Sequence, residues 1–239
     1  MSSLARDGRR SVFPAAGVFA ATAMLVACGA TTTRHIESGD SRSPSNETPG
    51  GPGVYRIDPS QSEIRVLVYR AGPMARLGHN HVIVNHGVVG WVRFTGNVAD
   101  ASFSLSVPAA DFVVDDARAR EQEGADFSDS VPEDAKLGTR RNMLSDAVLS
   151  GDKFPAITVS SIAVARRAGV VDATVRLNVA GHESTVVIPF TLDVEKTRIL
   201  ASGTITLRQT TLGLVPFSVF MGALQVQDEL SIKFNLRAL

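Results

Sequence analysis

Beyond Gly53 the chain alternates. In Ile64-Arg65-Val66-Leu67-Val68 and in Phe103-Ser104-Leu105-Ser106-Val107 one set of every-second side chains is apolar, the spacing of a strand with one buried face. Val171 to Val179 repeats the pattern, as do Val186, Ile188, Phe190, Leu192 and Val194, and then Ile199, Ala201, Ile205 and Leu207. The last run is the clearest: Leu224, Val226, Leu230, Ile232, Phe234 and Leu236 share one face, against Gln225, Gln227, Glu229, Lys233 and Asn235 on the other. Only Asp228 breaks the inward set, and a bulge that turns it outward is the favoured explanation.

Between Asp111 and Phe154 the alternation stops. Pro132 starts a predicted helix, Glu133 and Asp134 put negative charge at its positive end, Leu137, Leu144 and Val148 recur on one side, and Gly151 is expected to stop it. Ala117 to Ser130 is acidic and irregular, expected as a loop or short helix over one end of the sheet, either a lid or a plain connection. About eight antiparallel strands with one helical excursion predict an all-β closed barrel rather than a doubly wound α/β fold. Such a barrel is either filled by its own side chains or holds one small ligand, and strand count does not separate the two.

The first fifty residues differ in kind. Arg6, Arg9 and Arg10 precede an uncharged run from Ser11 to Ala27, a signal-peptide layout. Pro14 and Gly17 make it a poor permanent membrane helix. Leu25-Val26-Ala27-Cys28 resembles the lipobox of bacterial lipoproteins, which implies a diacylglyceryl group on Cys28 and cleavage before it. Cys28 is the only cysteine, so no disulfide and no Cys-based metal cluster forms within one chain. From Gly29 to Pro52 small and polar residues dominate, a tether spanning roughly 25–30 Å as a flexible coil. The expected organisation is a leader over 1–27, the lipidated cysteine and tether over 28–53, and a barrel domain over 54–239. Gly29 in place of Asp after Cys28 implies, by likeness to Gram-negative sorting, the periplasmic face of the outer membrane; in a Gram-positive host the anchor means the outer face of the plasma membrane.

Removing Arg6, Asp7, Arg9 and Arg10 from 24 basic and 24 acidic residues leaves a mature net charge of −2. That balance excludes a nucleic-acid partner, which needs a basic surface to displace counterions.

Four local patterns, in order, resemble the YceI family of bacterial periplasmic proteins. The domain opens Tyr55-Arg56-Ile57-Asp58-Pro59 followed by Ser62. Arg140, Leu144 and Phe154-Pro155 surround the helix. Leu177-Asn178-Val179-Ala180-Gly181 precedes Val186 to Phe190, and Arg208 precedes Thr211-Leu212-Gly213-Leu214. Arg141 and Met143 stand where the family usually has Asp and His, and Val148-Leu149 replaces its Phe-Phe pair. The resemblance implies a lipocalin-like barrel with an elongated apolar cavity for an isoprenoid or fatty-acyl ligand, and it allows a homodimer. No cofactor and no catalytic group is required. Candidate lining residues are Phe103, Leu105, Met143, Leu144, Leu177, Phe190, Phe217 and Phe220; core packing explains each equally well.

The histidines carry the competing readings. His79 and His81 in Leu77-Gly78-His79-Asn80-His81 would share one face of a strand and could join a zinc or copper ion with His86 or His182, as a metal-binding protein or metal-dependent enzyme. They could equally fix a loop at the barrel mouth or bind a polar lipid headgroup. No Gly-x-Ser-x-Gly elbow supports Ser-His-Asp hydrolysis. A third reading is an envelope interaction module with a filled barrel.

Overall fold

The computed structural model describes residues 48–239. The leader, Cys28 and most of the tether therefore lie outside the described residues. From Val54 on, strands β1 (Val54–Arg56), β2 (Glu63–Ala71), β3 (His81–Asn85), β4 (Val89–Arg93), β5 (Ser102–Pro108) and β6 (Val113–Val114) lead into helices α1 (Ala117–Glu121) and α2 (Glu133–Leu144). Strands β7 (Ala156–Arg167), β8 (Val170–Val179), β9 (His182–Val194), β10 (Ile199–Arg208), β11 (Ser218–Val219) and β12 (Leu224–Ala238) follow.

All pairings are antiparallel, in the order β1-β4-β5-β7-β8-β9-β10-β12-β2-β3-β6, with β11 on β12. The twelve strands make eight passes, because β1 and β2 are one pass broken at Pro59–Gln61, β3 and β4 are one pass broken at residues 86–88, β6 continues the pass of β5 beyond residues 109–111, and β11 is only a two-residue strand beside β12. Each break is held by a side chain that substitutes for ladder bonds. Asp58 accepts from the Ser60 N–H at 3.1 Å, and the buried Asn85 donates to the Pro108 carbonyl at 2.8 Å and accepts from the Gly87 N–H at 2.8 Å.

The first pass closes the barrel. On one side β1 pairs with β4; on the other, Arg56 and Leu239 exchange backbone hydrogen bonds of 2.7 and 2.8 Å, and the Asp58 N–H donates to the Arg237 carbonyl at 2.8 Å. The Ile57 N–H reaches the Gly90 carbonyl at 3.0 Å. Gly90 has φ +145°, and a Cβ there would sit 2.1 Å from the Ser104 carbonyl oxygen, so closure requires glycine at that point. Between Val226 and Leu230 the register of β12 on β2 shifts, and Asp228 turns outward to accept from the Thr210 N–H and hydroxyl at 2.9 and 2.7 Å. That is the expected bulge.

Two expectations are corrected. Helix α2 ends at Leu144, not at Gly151: Ser145 turns extended, and the Gly151 N–H folds back to the Leu144 carbonyl at 2.9 Å. Leu137 on the expected apolar face is exposed, whereas Ala135, Thr139, Asn142 and Met143 face the barrel interior. The 117–130 segment does not cover a barrel end. It packs on the outer wall, where Ala119 and Phe127 join Leu67, Val82 and Val84 in a buried cluster and the Phe127 ring lies 5.3 Å from that of Tyr69. Arg65 donates to Glu123 and Gln122 at 2.7 and 2.8 Å, and Lys233 of β12 also pairs with Glu123. This second layer explains why Val82, Ile83, Val84 and Asn85 are all buried: β3 is covered on both faces.

Phe127 anchors that layer. Phe127→Ala should cost about 3–4 kcal/mol by leaving a cavity, and amide exchange should accelerate in residues 117–130 before it does in β7–β10. Uniform acceleration throughout the barrel would contradict the layered arrangement.

Candidate functional site

The inward side chains leave a cavity of about 590 Å³, within the roughly 300–1,000 Å³ of small-molecule sites. It runs the length of the barrel, from Ile57, Phe94 and Ala238 at the end holding both sheet termini to Leu77, Phe217 and α2 at the other. Between them the wall is mostly apolar, with short side chains at Ala173, Ala201, Val159 and Val164. These are the inward positions of the alternating runs, so the pattern that makes the strands also makes the lining.

Phe103, Leu105, Met143, Leu177, Phe190 and Phe217 line the cavity as expected. Leu144 does not, being partly buried against the cluster of Leu149 and Val179. Phe220 is 70% exposed, because it and Met221 occupy left-handed conformations with φ 51° and 54° that turn their side chains away from the barrel. No periodic pattern reports such a turn.

The polar lining groups gather at the α2 end. His81 and His79 lie there with ring centroids 6.2 Å apart, joined by Arg70, Thr139 and Asn142. Strand parity carries the signal for two of them: Arg70 follows Ile64, Val66 and Val68 on the inward face, and His81 shares its face with Ile83. Thr139 and Asn142 carry no such signal, since the inward face of α2 is not its apolar one.

His81 is held from behind. Its Nδ1 lies 2.6 Å from Asp115 Oδ2, and its Nε2 is 3.3 Å from Thr139 Oγ1. Asp115 is fully buried at φ +56°, a conformation costly for a residue other than glycine. It also accepts from the Val82 N–H at 2.9 Å and from Arg120 Nη1 at 2.6 Å. Arg120 in turn donates to the Asn80 and Asp129 carbonyls, both at 2.8 Å. Burial by itself would raise the Asp115 pKa; the hydrogen bond and charge of His81, the Val82 N–H and Arg120 outweigh it and hold the carboxyl below its ordinary value. The ionised carboxylate therefore keeps a proton on Nδ1 and leaves Nε2 to the cavity side.

The expected partners of a histidine metal site lie elsewhere. His86 faces outward, near Glu63 and the Ser62 carbonyl, and His182 packs its ring against Gly213. Among the described residues no three His, Cys, Asp or Glu side chains converge as a metal site would require.

Residues 55–238 match the model of the YceI-like domain. The chain belongs to the YceI-like family. Two solved structures share the fold of this YceI-like domain. Burkholderia cenocepacia BcnA is 17% identical, with 77% of this chain and 99% of that chain covered and a TM-score of 0.58. A polyisoprenoid-binding domain from Saccharophagus degradans, implicated in plant cell wall breakdown, is 12% identical, with 77% and 97% covered and a TM-score of 0.51. No curated protein matches the chain by sequence. The family's sequence marks occupy structural positions in this YceI-like domain: Asp58 caps the break between β1 and β2, Arg140 donates to the Ala110 carbonyl at 2.7 Å, and Gly213 at φ +77° makes room for the His182 ring.

Asp115→Asn should cost about 3–5 kcal/mol, the penalty for leaving Arg120 buried without its counter-charge. The pH dependence follows from sign. Asp115 and Glu123 both titrate below their ordinary values when folded, so their contribution is complete above the unfolded values of about 3.9 and 4.3 and is lost as pH falls through the folded ones. Melting temperature should drop steeply below about pH 4 in the parent and less steeply in Asp115→Asn. Parallel curves for the two proteins would remove Asp115 from this account.

Proposed function

We propose that this YceI-like domain binds one long apolar molecule, an isoprenoid or fatty-acyl lipid, and carries it within the bacterial cell envelope while tethered to a membrane through Cys28. The observation that carries the reading is the unfilled, almost wholly apolar interior of about 590 Å³. Enclosing a hydrocarbon chain there is worth about 0.8 kcal/mol per methylene before the cost of ordering it, and needs no reacting group. The domain is a binder, not a catalyst. A polyisoprenoid-binding domain among the solved structures of the same fold supports this ligand class. A barrel plugged by its own side chains would have left no such volume, and among the described residues no three His, Cys, Asp or Glu side chains converge to hold a metal at His81.

Native mass spectrometry of gently purified protein should find a co-purified lipid. Val159→Trp, which projects an indole into the lumen, should reduce lipid uptake by about tenfold or more while the barrel still melts cooperatively. Uptake equal to the parent's would place the ligand outside the barrel.

The tether has its own measurement. With Cys28 intact the protein should incorporate labelled palmitate and sediment with membranes; Cys28→Ser should do neither. Labelling that survives the substitution would refute the anchor.

A further inference from the structure

The cavity's ionisable lining is of one sign. Arg70, His79 and His81 reach it, and among the described residues no Asp or Glu does. All three stand at the same end, beside the Thr139 hydroxyl and the Asn142 amide; apart from the neutral amides of Gln209 and Gln225, the other side chains of the wall are aliphatic or aromatic. A tube built only to hold hydrocarbon gains nothing from this cluster, because polar groups facing apolar ligand atoms lose their hydration without replacement.

His81 is oriented for contact. Asp115 fixes the Nδ1 proton, so Nε2 is directed toward Thr139 and the lumen. The charge of Asp115 is matched by Arg120 at 2.6 Å, so a negative group on the lumen side of His81 does not meet an unbalanced carboxylate. Arg70 is placed by a 2.6 Å bond from Nη1 to the Gly78 carbonyl, and its nearest acid, Asp129, stands 3.9 Å away with a largely solvated side chain. Arg70 therefore keeps guanidinium donors for another partner. An acid group suits His81 in either form: a protonated oxygen donates to Nε2, or the oxyanion accepts from Nε2–H, with Asp115 backing the imidazolium.

We propose that the α2 end of the cavity is a head-group site, in which His81, Thr139 and Arg70 bind a single oxyanion, a carboxylate or phosphate monoester, at the end of a long apolar chain. The inference rests on the barrel-binding reading above and narrows its ligand from any greasy molecule to an acidic amphiphile. The tail lies toward Phe94 and Ala238, and the acid sits between β3 and α2.

Palmitic acid, cetyl phosphate and cetyl alcohol, each competing with a fluorescent fatty probe on the delipidated full chain, separate the possibilities. The two acids should bind about tenfold or more tightly than the alcohol, the scale of a charge-assisted hydrogen bond. Preference for one acid over the other identifies the head. Arg70→Met and Thr139→Val remove a charge and a hydroxyl without opening the Asp115 network, and each should shrink the acid-to-alcohol ratio. An alcohol that binds as well as both acids, or a ratio untouched by either substitution, overturns the head-group site and leaves the barrel reading standing. Failure of all three ligands to displace the probe overturns both.

Discussion

The interior exists because the sheet closes, and the first pass closes it, with β2 pairing to both β12 and β3. Val54 to Asp58 fill the gap between β4 and the end of β12, bonded on both sides. Without that segment the inner faces of β4 and β12 would be solvent-facing edges, and the apolar lining would have no reason to remain unfilled. Once the tube is closed, its emptiness is a matter of side-chain length. An eight-pass barrel is just wide enough for large side chains to meet across it, and this one turns short side chains inward at Ala173, Ala201, Val159 and Val164.

The outer layer is coupled to the interior through Asp115. Ala119 and Phe127 bury the outer side of β3, and the chain leading into them places Asp115 at the edge of that strand in a strained conformation. Its carboxylate accepts from the backbone N–H of Val82, whose side chain faces outward into the cluster, and meets the ring of His81, which faces inward. One buried acid therefore connects the outer cluster to the lumen face of β3. The strain at φ +56° is offset by bonds from Val82, Arg120 and His81. The polar end of the lumen is thus only as well defined as the packing of the insert behind it.

Much of this was legible in the alternating runs. Eight passes, their inward faces, the outward turn of Asp228 and the four candidate lining residues on strands, Phe103, Leu105, Leu177 and Phe190, follow from period and parity. What escaped lies where period is silent. The 117–130 segment has only Ala119 and Phe127 as deeply buried apolar anchors, too few to show a face, so its place on the outer wall was not readable. Phe220 looks like lining in a stretch without charge from Gln209 to Gln227, but a left-handed pair of residues reverses its direction. Helix α2 misled because Leu137 and Leu144 imply one face while the residues turned inward are mostly small or polar. Histidine spacing implied a shared strand face; β3 begins only at His81 and His79 precedes it, yet both rings reach the cavity. The spacing could not give the partner, since Asp115 is 34 residues away in sequence from His81.

That helix shows how the chain departs from its family without losing the site. The positions where the family usually has Asp and His hold Arg141 and Met143. Arg141 is exposed, and Met143 adds one more apolar wall. The polar side chains that the helix turns to the cavity are Thr139 and Asn142, and Thr139 meets a histidine supplied by β3. A cluster assembled between two elements depends on their spacing more than one carried on a single turn. No residue of α2 is fully buried, and it is held mainly by Met143, by the Arg140 bonds to the Ala110 and Phe112 carbonyls, and by the Thr139 contact itself. The wall that carries part of the polar site is therefore also a shallowly packed one, and contact across the His81 to Thr139 gap adds directly to what keeps it in place.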